Sequence, residues 1–343
     1  MKNILFILSL LFVVNANAEK DAAFEEKKVI QKSFGANANF ELEINNKHGN
    51  ITFETWKKDS VSIKVTIEVH SDKLERVNEL IDRIDVHFSN YSQFISATTE
   101  WGSSSTGIKV NIMNLLSDQS ISVGYKVMLP DGLELDITNK FGDVSFADYS
   151  GELKVDLTHG SIFGDKIKEG KLLKISYGKI SIKEMNKADI VSKFSDINID
   201  EIDNLRIDAI SSEIEIEKVV DFELISILSE IEIEELEGKL DGEIKFGSLE
   251  IEEVSNTFRG IVIKGSNTDI DLSFDQQIAF HYFVQMEKGK AFRIPSEGNT
   301  LNRQNQYEET KEYEGVFTTS PLRGQPASVS VKVKNSYIRF GIE

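Results

Sequence analysis

Residues 211–238 read SSEIEIEKVVDFELISILSEIEIEELEG, and the phrase Ser-Glu-Ile-Glu-Ile-Glu stands at 212–217 and again, letter for letter, at 229–234. Taking the residue in the place of Ser212 and Ser229, a series runs along the chain: Gly142, Gly160, Gly178, Ser195, Ser212, Ser229, Gly247 and Gly265. The steps are 18, 18, 17, 17, 17, 18 and 18 residues. A fixed period over so many units is the mark of a solenoid. A unit this short has one apolar edge and an unpaired backbone, so it holds together only against its neighbours.

Within one unit, LLKISYGKISIKEMNK (172–187) places Leu173, Ile175 and Tyr177 at alternate positions, turns at Gly178, and places Ile180 and Ile182 at alternate positions. Period 2 means strand. The same slots hold Leu135, Ile137, Phe141, Val144 and Phe146 in one unit, Leu205, Ile207, Ile214 and Ile216 in another, and Leu240, Ile244, Phe246, Leu249 and Ile251 in a third. Each unit is thus two short strands joined at a corner, and stacking them makes parallel ladders spaced by about 4.8 Å. Gly or Ser at the corner is read as the residue that takes a positive φ, which a bulky side chain resists. An antiparallel β-sandwich also has short, evenly spaced strands, but nothing in it holds one corner residue in register from unit to unit. The expected fold is all-β: a single-stack parallel β-helix, or β-solenoid, with 17–18-residue coils.

The flanks read differently. Lys2, the apolar run Ile4 to Val14 and Ala16-Asn17-Ala18 describe a signal peptide over 1–18, with Glu19 as the expected mature N-terminus. No later stretch has the ~18 apolar residues of a membrane-spanning helix, so an exported chain, periplasmic, surface-bound or extracellular, is expected without membrane insertion after cleavage. There are no cysteines, which removes disulfides, thiolate metal sites, cysteine nucleophiles and a cysteine-linked lipid anchor. NNKHGNITFETW (45–56) reads as one more coil and aligns with TNKFGDVSFADY (138–149). Between them lie a strand, SVSIKVTIEV (60–69), and SDKLERVNELIDRI (71–84), whose Leu74, Val77, Ile81 and Ile84 make a helical stripe with Ser71 and Asp72 at its start. The division expected is an N-terminal coil and cap with helix 71–84 over 19–130, solenoid repeats over 131–275, and a C-terminal cap with a last coil over 276–343. WGSSSTG (101–107) and the polar 299–315 read as loops, and ASVSVKVKNSYIRFGIE (327–343) as the last coil or a closing hairpin.

The formal charge is −18, and residues 189–255 alone hold 21 acidic and 5 basic side chains. Nucleic acid is excluded as a partner by that balance, since phosphates call for clustered Lys and Arg, and an anionic membrane surface is excluded for the same reason. One, three and five residues past the corner stand Asp196, Asn198, Asp200; Glu213, Glu215, Glu217; Glu230, Glu232, Glu234; and Ser248, Glu250, Glu252. Period 2 sends all of them outward. Two readings follow. The ladder is a solvated face that keeps the chain soluble and blocks sideways strand pairing, or Glu213, Glu215, Glu217, Glu230, Glu232 and Glu234 form a cation-binding face with weak affinity for calcium, a hard ion suited to carboxylate oxygens. No other cofactor is expected.

The chemistry-bearing motifs are absent: there is no Gly-x-Ser-x-Gly, P-loop, His-Glu-x-x-His or dinucleotide fingerprint. β-helical folds include polysaccharide lyases and hydrolases, and glycoside hydrolysis needs two carboxylates across a cleft. Here no carboxylate stands apart from the repeat, and 133–275 contains no long insertion to wall a cleft. Of the five histidines, His48 and His159 fill the slot before the corner glycine that Phe141, Tyr177, Phe194 and Phe246 fill elsewhere, which places them in an aromatic column. The reading is of a chain that is not an enzyme.

NKHGNITFETW, the helix-bearing insert, ISVGYKVMLPDGLELDITNKFGDVSF (121–146) and the later YGKISI and FSDINI units together resemble a family of exported bacterial "putative adhesins", known chiefly as a domain of unknown function. The resemblance spans nearly all of the mature chain and is to the version found in Bacteroidetes. It implies a β-helical fold and brings no established catalytic or binding residues. The function expected is a non-catalytic exported adhesin or scaffold, monomeric, with an unknown protein or glycan partner. The alternatives are a periplasmic accessory of envelope signalling that binds a protein, and a carbohydrate-active β-helix enzyme.

Overall fold

The computed structural model describes residues 6–9, 24–102, 120–320 and 327–342. They are almost all strand, with one helix among them, and they fall into two compact units, Met1–Asp165 and Lys166–Glu343. Of the stretch read as a signal peptide, Phe6–Ser9 is a strand paired antiparallel with Phe24–Gly35. The expected cleavage point after Ala18 and the loop residues 103–107 lie outside the described residues. Among the described residues no helix is long and apolar enough to cross a membrane.

The second unit is a solenoid-like parallel stack. Lys179–Lys193, Asp196–Ile210, Glu213–Ile227, Glu230–Val254 and Gly260–Phe274 pair in parallel, each with the next. Identical slots stack on one another because the repeat makes every coil present the same side chains at the same height. Ile180, Ile197, Ile214 and Ile231 form one column, all at most 2% exposed. Leu249, Ile270 and Ile338 extend the same slot in later coils. The change from a 17- to an 18-residue step has a visible cause: the register shifts between Val219 and Asp221, so that Val219 faces Leu236 while Asp221 faces Lys239. The extra residue enters there, away from the corner.

Two expectations for this unit need correction. Gly265 is not a corner. It faces Ile244 and Val333, and the residue opposite Gly247 is Thr268, so that step is longer and carries the turn three residues later. The polar segment 299–315 is not a loop but two antiparallel strands, Asn299–Tyr307 and Thr310–Thr318, the latter paired with Ala279–Glu287. Ladder hydrogen bonds form there without an apolar stripe, which is why periodicity missed it. Ala327–Lys334 and Tyr337–Ile342 both pair in parallel with Gly260–Phe274.

In the first unit, Glu41–Lys47 lies parallel to Glu134–Lys140, and Ile51–Trp56 parallel to Val144–Phe146. Phe53 stacks on Phe146 at 4.9 Å between ring centres. The alignment of 45–56 with 138–149 is therefore the physical register, Asn45 against Thr138 and Ile51 against Val144. The cap is mostly antiparallel sheet: Ser60–Ser71 runs between Phe24–Gly35 and Ser120–Pro130. Ile84–Tyr91 pairs with Phe94–Trp101, which in turn lies parallel on Glu41–Lys47.

The cap helix is Leu74–Ile81, shorter than 71–84, and buries Val77, Leu80 and Ile81. Leu74 is exposed and Ile84 begins a strand, so the expected four-residue stripe is only half used. Lys73 is the N-cap and makes no side-chain capping bond; the Ser71 hydroxyl accepts the Lys73 N–H at 3.4 Å instead. With no cap to extend it at one end and a strand beginning at the other, the helix keeps only two turns.

Candidate functional site

The corners decide which side chains face the solvent. The residue with a left-handed backbone is the one before Gly or Ser: φ is 59° at Phe141, 56° at Tyr177, 51° at Phe194, 58° at Leu228 and 57° at Phe246. The expected assignment of positive φ to the small residue is thus off by one position, and the small residue has a different reason. A Cβ on Gly142 would lie 2.2 Å from the Gly49 carbonyl oxygen, and one on Gly247 1.9 Å from that of Ser229. Glycine is required there by the approach of the neighbouring coil.

Serine corners use a hydroxyl. Ser195 Oγ donates to the Lys193 carbonyl at 2.8 Å and accepts the Gly178 N–H at 3.1 Å. Ser229 Oγ repeats this with the Ile227 carbonyl and the Ser212 N–H, both at 3.2 Å. Ser336 does so again with the Lys334 carbonyl and the Thr268 N–H. Each hydroxyl ties its own coil to the one before. In the first unit the carbonyls at the corner are held by asparagines: Asn139 Nδ2 donates to Gly49 O at 3.0 Å and Gly142 O at 2.9 Å, and Asn46 Nδ2 to Val123 O at 2.9 Å.

A left-handed residue at each turn points its side chain away from the core. His48, Phe141 and His159 stack face to face in the first unit, 5.0 Å between successive ring centres. In the second, Phe194 stacks on Tyr177 at 5.2 Å. The aromatic column read from the sequence is present only as these separate stacks, with Ser211 and Leu228 standing in the slot before Phe246; Tyr177, Phe194, Leu228 and Phe246 are all more than half exposed.

After the corner comes the acidic ladder, and it faces outward. Glu213 stands opposite Glu230 and Asp196; Glu215 opposite Glu232 and Asn198. A shallow groove along it is lined by Asn198, Asp200, Glu215, Glu217, Glu232 and Glu234. Like charge raises the Glu217 carboxyl above its ordinary range, Asp200 first, with desolvation, Glu234 and Glu201 adding to it. The chain relieves the ladder at Asn198, which donates to Glu215; just past the ladder, Lys218 bridges Glu237 at 2.6 Å and Glu235 at 3.4 Å.

Among the described residues no group of three or more His, Asp or Glu side chains is placed to hold a metal ion. The six glutamates lie in flat columns instead of converging on a point. This arrangement can attract a diffuse cation atmosphere or a cationic partner, and it offers few ligands to a single ion.

No family model matches the chain, and no curated protein does. Solved structures are similar over most of their length. One described as a "putative adhesin" from Bacteroides fragilis is 9% identical, covers 92% of this chain and 97% of its own, and has a TM-score of 0.30. Another "putative adhesin", from Parabacteroides distasonis, is 11% identical over 91% and 96%, with a TM-score of 0.31. A "putative lipid binding protein" from Parabacteroides distasonis is 13% identical over 91% and 96%, with a TM-score of 0.34. At these identities and scores the likeness carries no argument for function.

Proposed function

We propose that the chain is an exported, non-catalytic β-solenoid of the single-stack type, an adhesin or scaffold whose outer columns bind a protein or glycan partner. The supporting observation is the repetition of exposed side chains at fixed heights: neighbouring coils set Asp196, Glu213 and Glu230 in one row and Glu215 and Glu232 in the next. A ladder of equal contacts turns weak single interactions into a firm one, as in any multivalent binder. Export rests on Lys2, the apolar run Ile4 to Val14 and Ala16-Asn17-Ala18. Intact mass of the exported form should begin at Glu19, and a retained Met1 would remove that part of the reading. Glu213, Glu215, Glu217, Glu230, Glu232 and Glu234 are proposed to take calcium weakly, as a face and not as a closed site. The binding reading is tested with a glycan array and a pull-down from an envelope fraction, using the mature chain. Capture of a glycan or of one identified envelope protein supports it. Failure of both assays sinks it, and cleavage of a uronic-acid polysaccharide by the chain would replace it with an enzyme.

A further inference from the structure

The corner column of the second unit spends backbone strain on exposed apolar side chains. A bulky residue at positive φ is unfavourable, whereas Asn tolerates it. Asn fills this slot in two coils of the same unit, Asn267 with φ of 52° and Asn335 with φ of 53°. Leu228 fills it at 58° and is 59% exposed, and Phe246 fills it at 57° and is 54% exposed. Ring stacking repays the strain for Tyr177 and Phe194; Leu228 has no ring to stack. Strain kept where a cheaper residue is available is an indication of a role.

Leu228 does not stand alone. Along the same coil, Ile225 and Ile227 point outward and are 45% and 38% exposed. Ile227 is in register with Ile210 below it and Lys245 above it. Ile225, Ile227, Leu228 and Phe246 thus form one apolar patch that crosses two coils and turns the corner. Clustered exposure of this kind, unlike scattered single residues, marks an interaction site. On the far side of the corner the same coils continue into Glu230, Glu232, Glu234, Glu250 and Glu252, all exposed, with Glu213 of the preceding coil in register with Glu230. On the near side Glu223 and Glu243 flank the patch, partly countered by Arg206 at 3.5 Å and Lys245 at 2.6 Å.

Resting on the binding-module reading above, we infer that this patch is the docking surface for a cationic amphipathic segment of a protein partner. Its apolar side chains cover Ile225, Ile227, Leu228 and Phe246, and its Lys or Arg side chains reach the Glu213, Glu230 and Glu232 ladder. Charge complementarity selects this occupant. A second copy of the chain would bring an equally acidic ladder to the same border, and like charges brought together oppose that contact. A neutral apolar partner would leave the carboxylates beside it partly desolvated and unpaired.

The test uses the full chain and a fluorescein-labelled amphipathic helix of leucine and lysine, followed by anisotropy. Controls are a scrambled peptide of the same composition and a leucine–glutamate analogue. The variant is Leu228→Asn with Ile227→Thr. Asn suits the left-handed backbone and Thr the strand, so its thermal midpoint should match or exceed the parent's. The expected result is saturable one-to-one binding, weakened by about tenfold or more in the variant, weaker for the scrambled peptide and absent for the glutamate analogue. Equal binding by variant and parent, equal binding of the scrambled peptide, or no saturable binding would overturn the inference. So would a concentration-dependent dimer of the parent that the variant abolishes, because the patch would then be a self-interface. These outcomes leave the glycan and envelope captures unaffected, so failure of this surface and failure of the binding-module reading are told apart.

Discussion

The two units solve one problem with different side chains. In the first, Asn46 and Asn139 reach across to the carbonyls of Val123, Gly49 and Gly142, and Gly142 is bare because the Gly49 carbonyl lies where its Cβ would be. In the second, Ser195 and Ser229 place a hydroxyl at the small residue itself and tie one coil to the next. A corner needs its backbone groups satisfied, and either an amide three residues upstream or a hydroxyl at the turn does it. What stays the same is the inner column of branched apolar residues. What differs beyond the corner is the outer charge, because the acidic ladder belongs to the second unit.

If the units differ only at corners and surfaces, a core truncation should cost the same in both. Ile137 and Ile214 are each fully buried in parallel ladders. Ile137→Ala and Ile214→Ala should each lose about 2–5 kcal/mol, the usual range for such a cavity, in urea unfolding followed by circular dichroism. Glu215→Ala, one residue on and exposed, should cost little. A loss at Glu215 equal to that at Ile214 would reverse the inside and outside faces.

The corners should not be interchangeable. Gly142→Ser puts a Cβ against backbone that has no rotamer to yield, so it should cost about 1–3 kcal/mol as overpacking. Ser229→Ala removes the acceptor of the buried Ser212 N–H and should cost about 1–3 kcal/mol for the unmet donor. The thermal midpoints of both variants check this. A neutral Gly142→Ser would mean that the two corner types are one, and a neutral Ser229→Ala that the hydroxyl is incidental.

The contrast also shows what a sequence can carry. The period was legible because every coil meets the same environment, so Ile197, Ile214 and Ile231 had to be alike; so was the pairing of 45–56 with 138–149. The outward ladder followed from alternation alone. The reason for the corner residue was not legible, since small size satisfies a positive φ, a close carbonyl and a hydroxyl hydrogen bond equally well. Gly265 misled because a glycine stands at the right spacing while the turn sits at Asn267 and Thr268. Phe24–Gly35 went unread because Ile30 is its only fully buried residue, and Asn299–Tyr307 because it has none. Lys218 lies one residue past the ladder's regular positions; the 17-residue step sets it opposite Glu235, while its closer pairing with Glu237 is seen only in three dimensions.

The ladder sharpens the difference in charge. Repulsion among exposed carboxylates weakens with salt, so stability should rise modestly with sodium chloride. It should also rise as the pH falls through the raised Glu217 value, since the folded chain then holds a proton that the unfolded chain binds less readily. Calcium at fixed ionic strength should raise the thermal midpoint further than magnesium, and a Glu215→Lys, Glu232→Lys variant should lose that increment. Coincident midpoints in calcium, magnesium and sodium would leave the ladder as a solubility face.

The smallest effect separates the two outer columns. In the first unit the slot that Tyr177 fills in the second is held by His48, stacked on Phe141 at an interplanar angle of 6° and met edge-on by Trp101 at 5.5 Å. Its Nε2 is buried without a hydrogen-bond partner. Desolvation, with the Lys47 ammonium adding to it, holds the imidazole below its ordinary value of 6.5. The folded chain therefore favours neutral His48, while the unfolded chain protonates it at the ordinary value. Its contribution is fully present above that value and is lost as the pH falls through the depressed one. His48→Phe keeps a ring that can stack as Phe141 does and removes the proton site. In urea titrations between about pH 7 and pH 5, the parent should lose stability relative to this variant as the pH falls, by a fraction of its total, because His48 is only part-buried. Parallel curves for the two chains would mean that His48 is as free to ionise as a surface histidine, and that the two columns differ in ring type but not in chemistry.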